Sequence, residues 1–459
     1  FPFDDLRRLS ALPSNQQETR ESTFERAKAS IYGELAYDYA YRYYLKFNAR
    51  RDASSIFGGD QQADIFWAVG GGWNFSEEPA LNGHLPFGID YGKFRASYGV
   101  TGNSRVGVYT AAGLYDQGFS GEEYGGVFPL IVESPNNDRL GWERKRQSNF
   151  GIDLGWNDGR IGITTEYYSN LTIDGLRTFD TPYESGFATI LANAVTMRNW
   201  GYEFSFRYRS GKTNKLRWSS NFNIAHNRNR LIEITQPDLP VTGTNARALI
   251  PGQDVNTLYG IPFVGINPTT GRMQHLLPSG EITEDLDEVQ DPVNFVALGR
   301  SSPDFFGGWQ NSLSYGAWGL TLQMNYSYGA TDIIDRLTFT DGQQILINNQ
   351  SVNQLDRWQQ AGDITDVPQL RIDNAPVRRS SRYFYTLSYL QFASLSLNCD
   401  LGKLGISPLK AQSFRAFLLV NNLGYIYDDE RVKDRNGVAE YRFLFPQQRS
   451  ITGGLKISW

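Results

Sequence analysis

Stretches in which apolar and polar residues alternate recur along the whole chain. In the last of them Ile451, Leu455 and Ile457 fall on one face, and Thr452 and Lys456 fall on the other. Successive side chains of a β-strand point to opposite faces, so this period of two predicts a strand with one apolar face. Further alternating stretches lie at 41–50, 93–100, 149–156, 202–209 and 318–328. Each predicted strand needs an apolar partner, which is a protein core or lipid.

The sequence predicts about thirteen strands. The connections between them alternate between shorter and longer ones. Short connections lie at 38–40, 157–159, 211–214 and 316–317, with two longer ones at 76–92 and 401–413. They alternate with long gaps at 52–64, 101–145, 180–199, 227–303, 329–382 and 422–446. A transmembrane β-barrel has short periplasmic turns and long outer loops, whereas a soluble sandwich has no reason to sort its loops.

Aromatic residues cluster beside the short connections, on the apolar faces of their strands: Trp73, Phe75, Trp156, Tyr208, Trp218, Tyr315, Trp318 and Trp459. Transmembrane barrels carry such girdles at the membrane interfaces. The chain is therefore predicted to be all-β and part of a large antiparallel transmembrane β-barrel, with a soluble all-β fold as the alternative. If the long loops are extracellular, the first and last strands both run inward and the C-terminus is periplasmic.

Composition narrows the class of protein further. The 459 residues have a mean hydropathy of -0.44 and no apolar run long enough for a transmembrane helix. The net charge of -5 argues against a nucleic-acid partner, and the single cysteine, Cys399, excludes an intrachain disulfide. An odd strand count and a start at Phe1 without a signal segment lead us to expect a piece of a larger barrel.

Several sequence blocks occur in a fixed order. They are RDASSIF at 51–57, GWNFSEE at 72–78, KFRASYGVTGN at 93–103, LGWE at 140–143, NFGID at 149–153, MRNWGYE at 197–203, SPDF at 302–305, SSR at 380–382 and NNL at 421–423. This series resembles the C-terminal half of the SusC/RagA family of TonB-dependent outer-membrane transporters of Bacteroidota. The chain departs from the family pattern at Ala53, Ile56 and Asp429, where the family has Gly, Arg and Pro.

The resemblance implies a barrel of about 22 strands with a plugged lumen. Residues 1–459 would be the C-terminal portion of that one barrel domain, with the plug domain and the N-terminal strands outside this chain. Implied partners are a SusD-like surface lipoprotein, TonB through the missing N-terminal part, the barrel-assembly machinery and membrane lipid. Leu455, Ile457 and Trp459 of the final strand would act as the barrel-assembly signal. No cofactor is expected.

Residues for chemistry or binding are sparse. His84, His226 and His275 are far apart and lack metal-ligand spacing, and no nucleophile motif is present, so no catalytic set is predicted. In the long loops Trp142, Tyr259, Arg357 and Trp358 could stack on or bond a sugar or peptide, or could pack within the loops themselves.

An acidic run at 281–291 contains Glu284, Asp285 and Asp287. These carboxylates could supply oxygen ligands to Ca²⁺. The run lacks the regular spacing of a known calcium loop, so a solvated acidic loop is the alternative.

The leading functional hypothesis is TonB-dependent active import of an oligosaccharide or peptide across the outer membrane of a Gram-negative bacterium, together with a SusD-like lipoprotein. An alternative is a non-transporting scaffold that docks surface lipoproteins. An outer-membrane hydrolase is the least favoured, because no Ser, His and acid set is visible. Substrate specificity depends on residues that converge in space, so the sequence leaves the substrate open.

Overall fold

The computed structural model describes residues 24–81, 83–117, 130–187, 189–211, 215–235, 247–334, 337–342, 349–371, 377–406, 411–427 and 448–458. Twenty strands lie in these ranges: β1 Lys28–Tyr39, β2 Tyr43–Ser54, β3 Ala63–Trp73, β4 Ile89–Asn103, β5 Leu114–Gln117, β6 Leu130–Ser134, β7 Glu143–Trp156, β8 Ile161–Asp180, β9 Thr189–Arg209, β10 Leu216–Ile234, β11 Thr257–Gly260, β12 Phe263–Ile266, β13 Met273–Leu276, β14 Ile282–Thr283, β15 Val296–Arg300, β16 Phe305–Tyr315, β17 Trp318–Ile333, β18 Phe384–Asp400, β19 Ser413–Tyr427 and β20 Ser450–Ser458.

Thirteen of these strands form a single antiparallel sheet, here called the wall. Their order is β1-β2-β3-β4-β7-β8-β9-β10-β16-β17-β18-β19-β20, so neighbours in the wall follow one another along the chain. The other sheets in the described residues have two or three strands: β5 with β6, β11 with β15, and β12 with β13 and β14. The predicted number of strands and the antiparallel all-β class are confirmed.

Helices are few and short. They are α1 at Leu286–Gln290, α2 at Leu337–Thr340, and 3-10 turns at Gly59–Gln61, Phe75–Glu77, Pro86–Gly88, Tyr183–Ser185, Pro292–Asn294, Val352–Asp356, Ser381–Tyr383 and Leu401–Leu404. In the described part of the chain, none of them is long and apolar enough to cross a membrane.

Successive connections alternate between the two ends of the wall, and the longest of them share one end, as the sequence predicts. At the short end β7 and β8 are joined through Asn157 and Asp158, both with positive φ, followed by Gly159. Asn, Asp and Gly tolerate that backbone conformation best, which favours a tight hairpin turn. The opposite end holds the long connections 104–142, 235–304 and 334–383.

Two predicted long gaps are wrong in extent. The gap predicted at 180–199 shrinks to 181–188, because Thr189–Arg209 pairs with β8 as far as Asp180. The gap predicted at 52–64 shrinks to 55–62. In both places the partner strand's backbone supplies the hydrogen bonds, so the strand continues past the point where its side chains stop alternating.

The two faces of the wall differ in chemistry. One carries an exposed apolar surface in which Phe204, Phe206 and Tyr208 of β9 adjoin Trp218 of β10 and Trp309 of β16. The opposite face carries polar and charged groups. No large sheet in the described residues covers the apolar face. An apolar face of this extent, with the polar face behind it, is the arrangement of a barrel wall that touches lipid.

Indole N–H groups at the short end reach polar acceptors. Trp73 Nε1 donates to Glu78 Oε1 at 3.1 Å, Trp156 Nε1 donates to the Phe87 carbonyl oxygen at 3.1 Å, and Trp218 Nε1 donates to Asn311 Oδ1 at 3.1 Å. Rings with an apolar body and a satisfied polar edge suit a membrane interface. Trp459, predicted for the same girdle, lies outside the described residues.

Candidate functional site

The two longest connections pack together into one unit at the long-connection end, here called the loop module: the described residues of 247–304 and of 334–383. The backbone N–H of Ile261 donates to the Arg379 carbonyl oxygen at 2.9 Å, and that of Ser381 donates to the Ile261 carbonyl oxygen at 2.9 Å. The Phe263 N–H donates to Ser381 Oγ at 2.8 Å. Backbone pairing between segments distant in sequence gives the long loops a defined structure.

The loop module has its own hydrophobic core, made of Ala248, Tyr259, Ile261, Met273, Leu277, Val289, Phe295 and Val377. Tyr259, a predicted substrate-binding residue, is one of these buried side chains, and burial raises the pKa of its phenol. Tyr259 therefore packs inside the loop module, which is the alternative to substrate binding for this residue.

A buried ion pair lies inside the loop module. Arg382 Nε donates to Asp341 Oδ2 at 2.7 Å, and Gln354 Nε2 donates to Asp341 Oδ1 at 3.1 Å. Asp341 is only 1% exposed. Burial on its own lowers the pKa of the Arg382 guanidinium, but the Asp341 carboxylate outweighs it and raises the pKa. The pair fixes the segment before Val352–Asp356 to the segment that enters β18.

His275 on β13 is also buried, at 1% exposure, and its Nε2 lies 2.9 Å from Ser380 Oγ. Removal from water disfavours the charged imidazolium and lowers the pKa of His275 to about 4. At neutral pH the ring is therefore neutral and holds β13 against the 377–383 segment.

This pKa predicts acid sensitivity of the loop module. The folded pKa of His275 lies below the ordinary value of 6.5, so its contribution to stability is full above pH 6.5 and is lost as the pH falls through about 4. The loss amounts to about 3 kcal/mol. Hydrogen exchange of residues 247–300 across this pH range measures it. His275→Gln, which does not titrate, should flatten the profile, and an equally steep profile in that variant contradicts the assignment.

Trp358 and Arg357, two further predicted substrate-binding residues, lie at the edge of the loop module. The Trp358 ring covers Gly271, where an added Cβ would lie 2.4 Å from the ring, and its Nε1 donates to the Pro268 carbonyl oxygen at 2.9 Å. Arg357 Nη1 donates to the Gln354 carbonyl oxygen at 2.9 Å. Both side chains are half-buried, so each keeps a surface open to solvent.

Trp142 belongs to a separate cluster, formed by Ile56, Phe57, Phe66, Ala111, Leu140 and Trp142. Its ring centroid lies 4.7 Å from that of Phe57 and 5.3 Å from that of Phe66, and its Nε1 donates to the Gln62 carbonyl oxygen at 3.1 Å. The indole also lines a polar cavity of about 180 Å³, beside Asp64 and Arg144. Trp142 thus lies outside the loop module that holds the other three predicted residues.

Two carboxylates of the acidic run at 281–291 accept hydrogen bonds from nearby residues. Glu284 accepts hydrogen bonds from Asn267 Nδ2, from Thr270 Oγ1 at 3.0 Å and from Gln274 Nε2 at 3.3 Å. Asp285 caps α1 by accepting from the Asp287 N–H at 2.9 Å. Among the described residues no group of three His, Cys, Asp or Glu side chains is placed to hold a metal ion. Calcium binding at Glu284, Asp285 and Asp287 stays a prediction.

A network of charged and polar side chains connects β4, β7 and β8. Arg95 of β4 donates through Nε to Asp153 Oδ2 of β7 at 2.8 Å and through Nη2 to Glu166 Oε1 of β8 at 2.6 Å. Thr164 Oγ1 also donates to Asp153 Oδ1, at 2.8 Å. Arg95 and Asp153 lie in the blocks KFRASYGVTGN and NFGID, which resemble the family pattern. That resemblance is the feature of the sequence that could have indicated this network. The network lies on the polar face, where a barrel has its lumen.

No protein-family model matches the chain. Among curated proteins, TonB-dependent receptor P39 of Formosa agariphila is 27% identical over 94% of this chain and 46% of its own length. TonB-dependent receptor SusC of Bacteroides thetaiotaomicron is 29% identical over 46% of this chain and 21% of its own length. The chain thus spans less than half the length of these relatives.

Solved structures share the fold. The RagAB peptide importer in its closed-closed state matches with a TM-score of 0.83 and 22% identity, over 100% of this chain and 51% of that chain. The RagAB peptide transporter matches with a TM-score of 0.79 and 22% identity, over 94% and 47%. Together with the thirteen-stranded wall, these matches show the fold: part of a barrel like that of TonB-dependent transporters. More specifically, the chain is a partial SusC/RagA-like barrel, which confirms the resemblance carried by the ordered blocks.

Proposed function

We propose that this chain is the C-terminal barrel portion of a TonB-dependent importer of oligosaccharides or peptides in the outer membrane of a Gram-negative bacterium. The observation that carries the proposal is the wall itself: its apolar face suits lipid, its polar face suits a lumen, and its fold is similar to that of the RagAB structures. The relatives it matches are receptors and transporters, which favours transport over catalysis.

In this proposal the remaining parts come from outside the chain. A plug domain and further strands precede residues 1–459, and TonB supplies energy through that missing part, because the outer membrane has no ATP. The C-terminus is periplasmic, and Leu455, Ile457 and Trp459 of the last strand are read by the barrel-assembly machinery. Leu455 is well exposed on its strand, as a recognition signal requires.

The loop module is the proposed site of substrate contact and of docking by a SusD-like lipoprotein. Its core and its buried Asp341–Arg382 pair hold a rigid upper surface, and rigid scaffolds position recognition loops well. On that surface Arg357 and Trp358 offer a cation and an aromatic face, groups suited to either a peptide or a sugar ring. Trp142 would act at the second cluster of loops.

The test is growth on single nutrient sources. Cells that lack the full gene, or that carry it without the segment that binds TonB, should fail to grow on one oligosaccharide or peptide source and should recover with the intact gene. Purification from native membranes should also recover a surface lipoprotein. Normal growth of the deleted strain on every source, with a lipoprotein still attached to the purified protein, would favour the scaffold alternative.

A further inference from the structure

Three arginines lie in register across the apolar face of the wall. Arg198 of β9 is paired directly with Arg230 of β10. On the other side Arg198 pairs with Leu171 of β8, and Leu171 pairs with Arg146 of β7. The three side chains therefore point to the same side across four neighbouring strands, and all three are exposed.

Their position along the strands matches the thickness of a bilayer. Arg146 is ten residues from Trp156 on β7, and Arg198 is ten residues from Tyr208 on β9, without a break in register. Ten residues at about 3.4 Å each, tilted by about 45°, rise about 24 Å. The apolar band of an outer-membrane barrel is about 25 Å tall. Each arginine thus lies at the edge of the band opposite the short turns.

Other arginines at this end are neutralised, but these three are not. Arg144 is paired with Asp64 at 2.6 Å, and Arg228 is paired with Asp304. Within the described residues the side chains of Arg146 and Arg230 have no hydrogen bond or ion pair. Arg198 donates only from Nε, to Ser169 Oγ at 3.1 Å, while its guanidinium lies 5.8 Å from the Trp200 ring. Arg198 and Arg230 lie directly opposite one another, where like charges repel. An anion bound between them would relieve this repulsion.

The groove beside the row has room for a lipid headgroup. Its volume is about 710 Å³, and Arg198, Arg230 and Trp200 line it together with Tyr167 and Tyr202. The two tyrosine rings, 5.0 Å apart between centroids, lie four residues nearer the short turns than the arginines. A ligand held here would have its anionic group at the arginines and its apolar part against the tyrosines.

We propose that Arg146, Arg198 and Arg230 bind the phosphate groups of outer-leaflet lipid and fix the depth of the barrel in the membrane. Guanidinium groups form paired, charge-assisted hydrogen bonds with phosphate, which suits them to this task better than a point charge. The inference rests on the proposed function only in that the apolar face must touch the outer leaflet. It needs neither substrate nor energy supply.

The test compares two lipid probes on the purified full-length protein in non-ionic detergent. The probes are a diphosphorylated lipid A and the same lipid without its phosphates, and the measurement is equilibrium binding. Each surface arginine contributes roughly a factor of five to binding of an anionic lipid, so we expect the wild type to favour the phosphorylated probe by about 100-fold. The triple variant Arg146→Gln, Arg198→Gln, Arg230→Gln should bind both probes equally.

Lys145→Gln is the matched control, because Lys145 precedes Arg146 on β7 and lies on the opposite face. It should keep the full preference. If the triple variant does not fold into a heat-modifiable barrel, Arg230→Gln alone should lower the preference about fivefold. Equal binding of both probes by the wild type, or an unchanged preference in the folded variant, overturns the proposal. Because the assay contains no nutrient, a failure of import would leave its result unchanged.

Discussion

Asp341→Ala is expected to destabilise the loop module by about 3–5 kcal/mol, because it leaves the buried Arg382 guanidinium without its carboxylate. Asp341 is 1% exposed and accepts bonds from Arg382 and Gln354. Water cannot replace these bonds without opening the module. Removing one partner of a buried pair lowers the stability of the fold by more than the intact pair contributes to it. The reason is that an uncompensated charge remains in a medium of low dielectric.

Hydrogen exchange and limited proteolysis of the full-length protein would measure this effect in residues 349–371. Asp356→Ala is a matched control, because Asp356 lies nearby at the end of a 3-10 turn and is exposed. It should leave the exchange rates within experimental scatter. The wall should be unaffected in both variants. Equal protection in Asp341→Ala and Asp356→Ala would contradict the structural role of the ion pair.

Trp142→Ala should cost about 3–5 kcal/mol, because it removes a large ring from the cluster at the base of the β2–β3 and β4–β7 connections. Trp142 is 5% exposed and lies between Phe57 and Phe66. Trp142→Phe keeps most of the packing and loses the bond to the Gln62 carbonyl oxygen, which contributes about 1 kcal/mol. Thermal unfolding of the detergent-solubilised protein, followed by heat modifiability, measures both.

The same variants separate packing from substrate contact at Trp142. If the indole only packs, Trp142→Phe should keep nutrient uptake and lose only the small stability contribution of the bond to Gln62. A Trp142→Phe protein that folds normally but loses uptake of the cognate nutrient would show that the indole contacts the substrate. The polar cavity beside the ring, with Asp64 and Arg144 in its lining, is where such contact would occur.

The wall is predictable from the sequence because its determinants are local. Alternation places each side chain on one face, and the tight turns are set by residues such as Asn157, Asp158 and Gly159. Hydrogen bonding to a neighbouring strand is not local. Thr189–Arg209 therefore begins ten residues before the end of the predicted gap at 180–199, because β8 lies alongside it.

The loop module is less predictable, since its order depends on contacts between segments about a hundred residues apart. Nothing near His275 in the sequence indicates Ser380 as its partner, and nothing near Trp358 indicates the bare backbone of Gly271 beneath its ring. The choice between packing and binding for Tyr259 was open for the same reason. An aromatic residue in a long loop suits a site or a core equally well until its neighbours are known.

The length of the β8–β9 hairpin has a consequence at the cell surface. Its strands have 20 and 21 residues, whereas about 9–11 suffice to cross a bilayer. In the proposed orientation the hairpin projects about 20 Å past Arg198, with Tyr183 fully exposed at its tip. Molecules approaching from the medium would therefore meet the tip of the hairpin before they meet the wall.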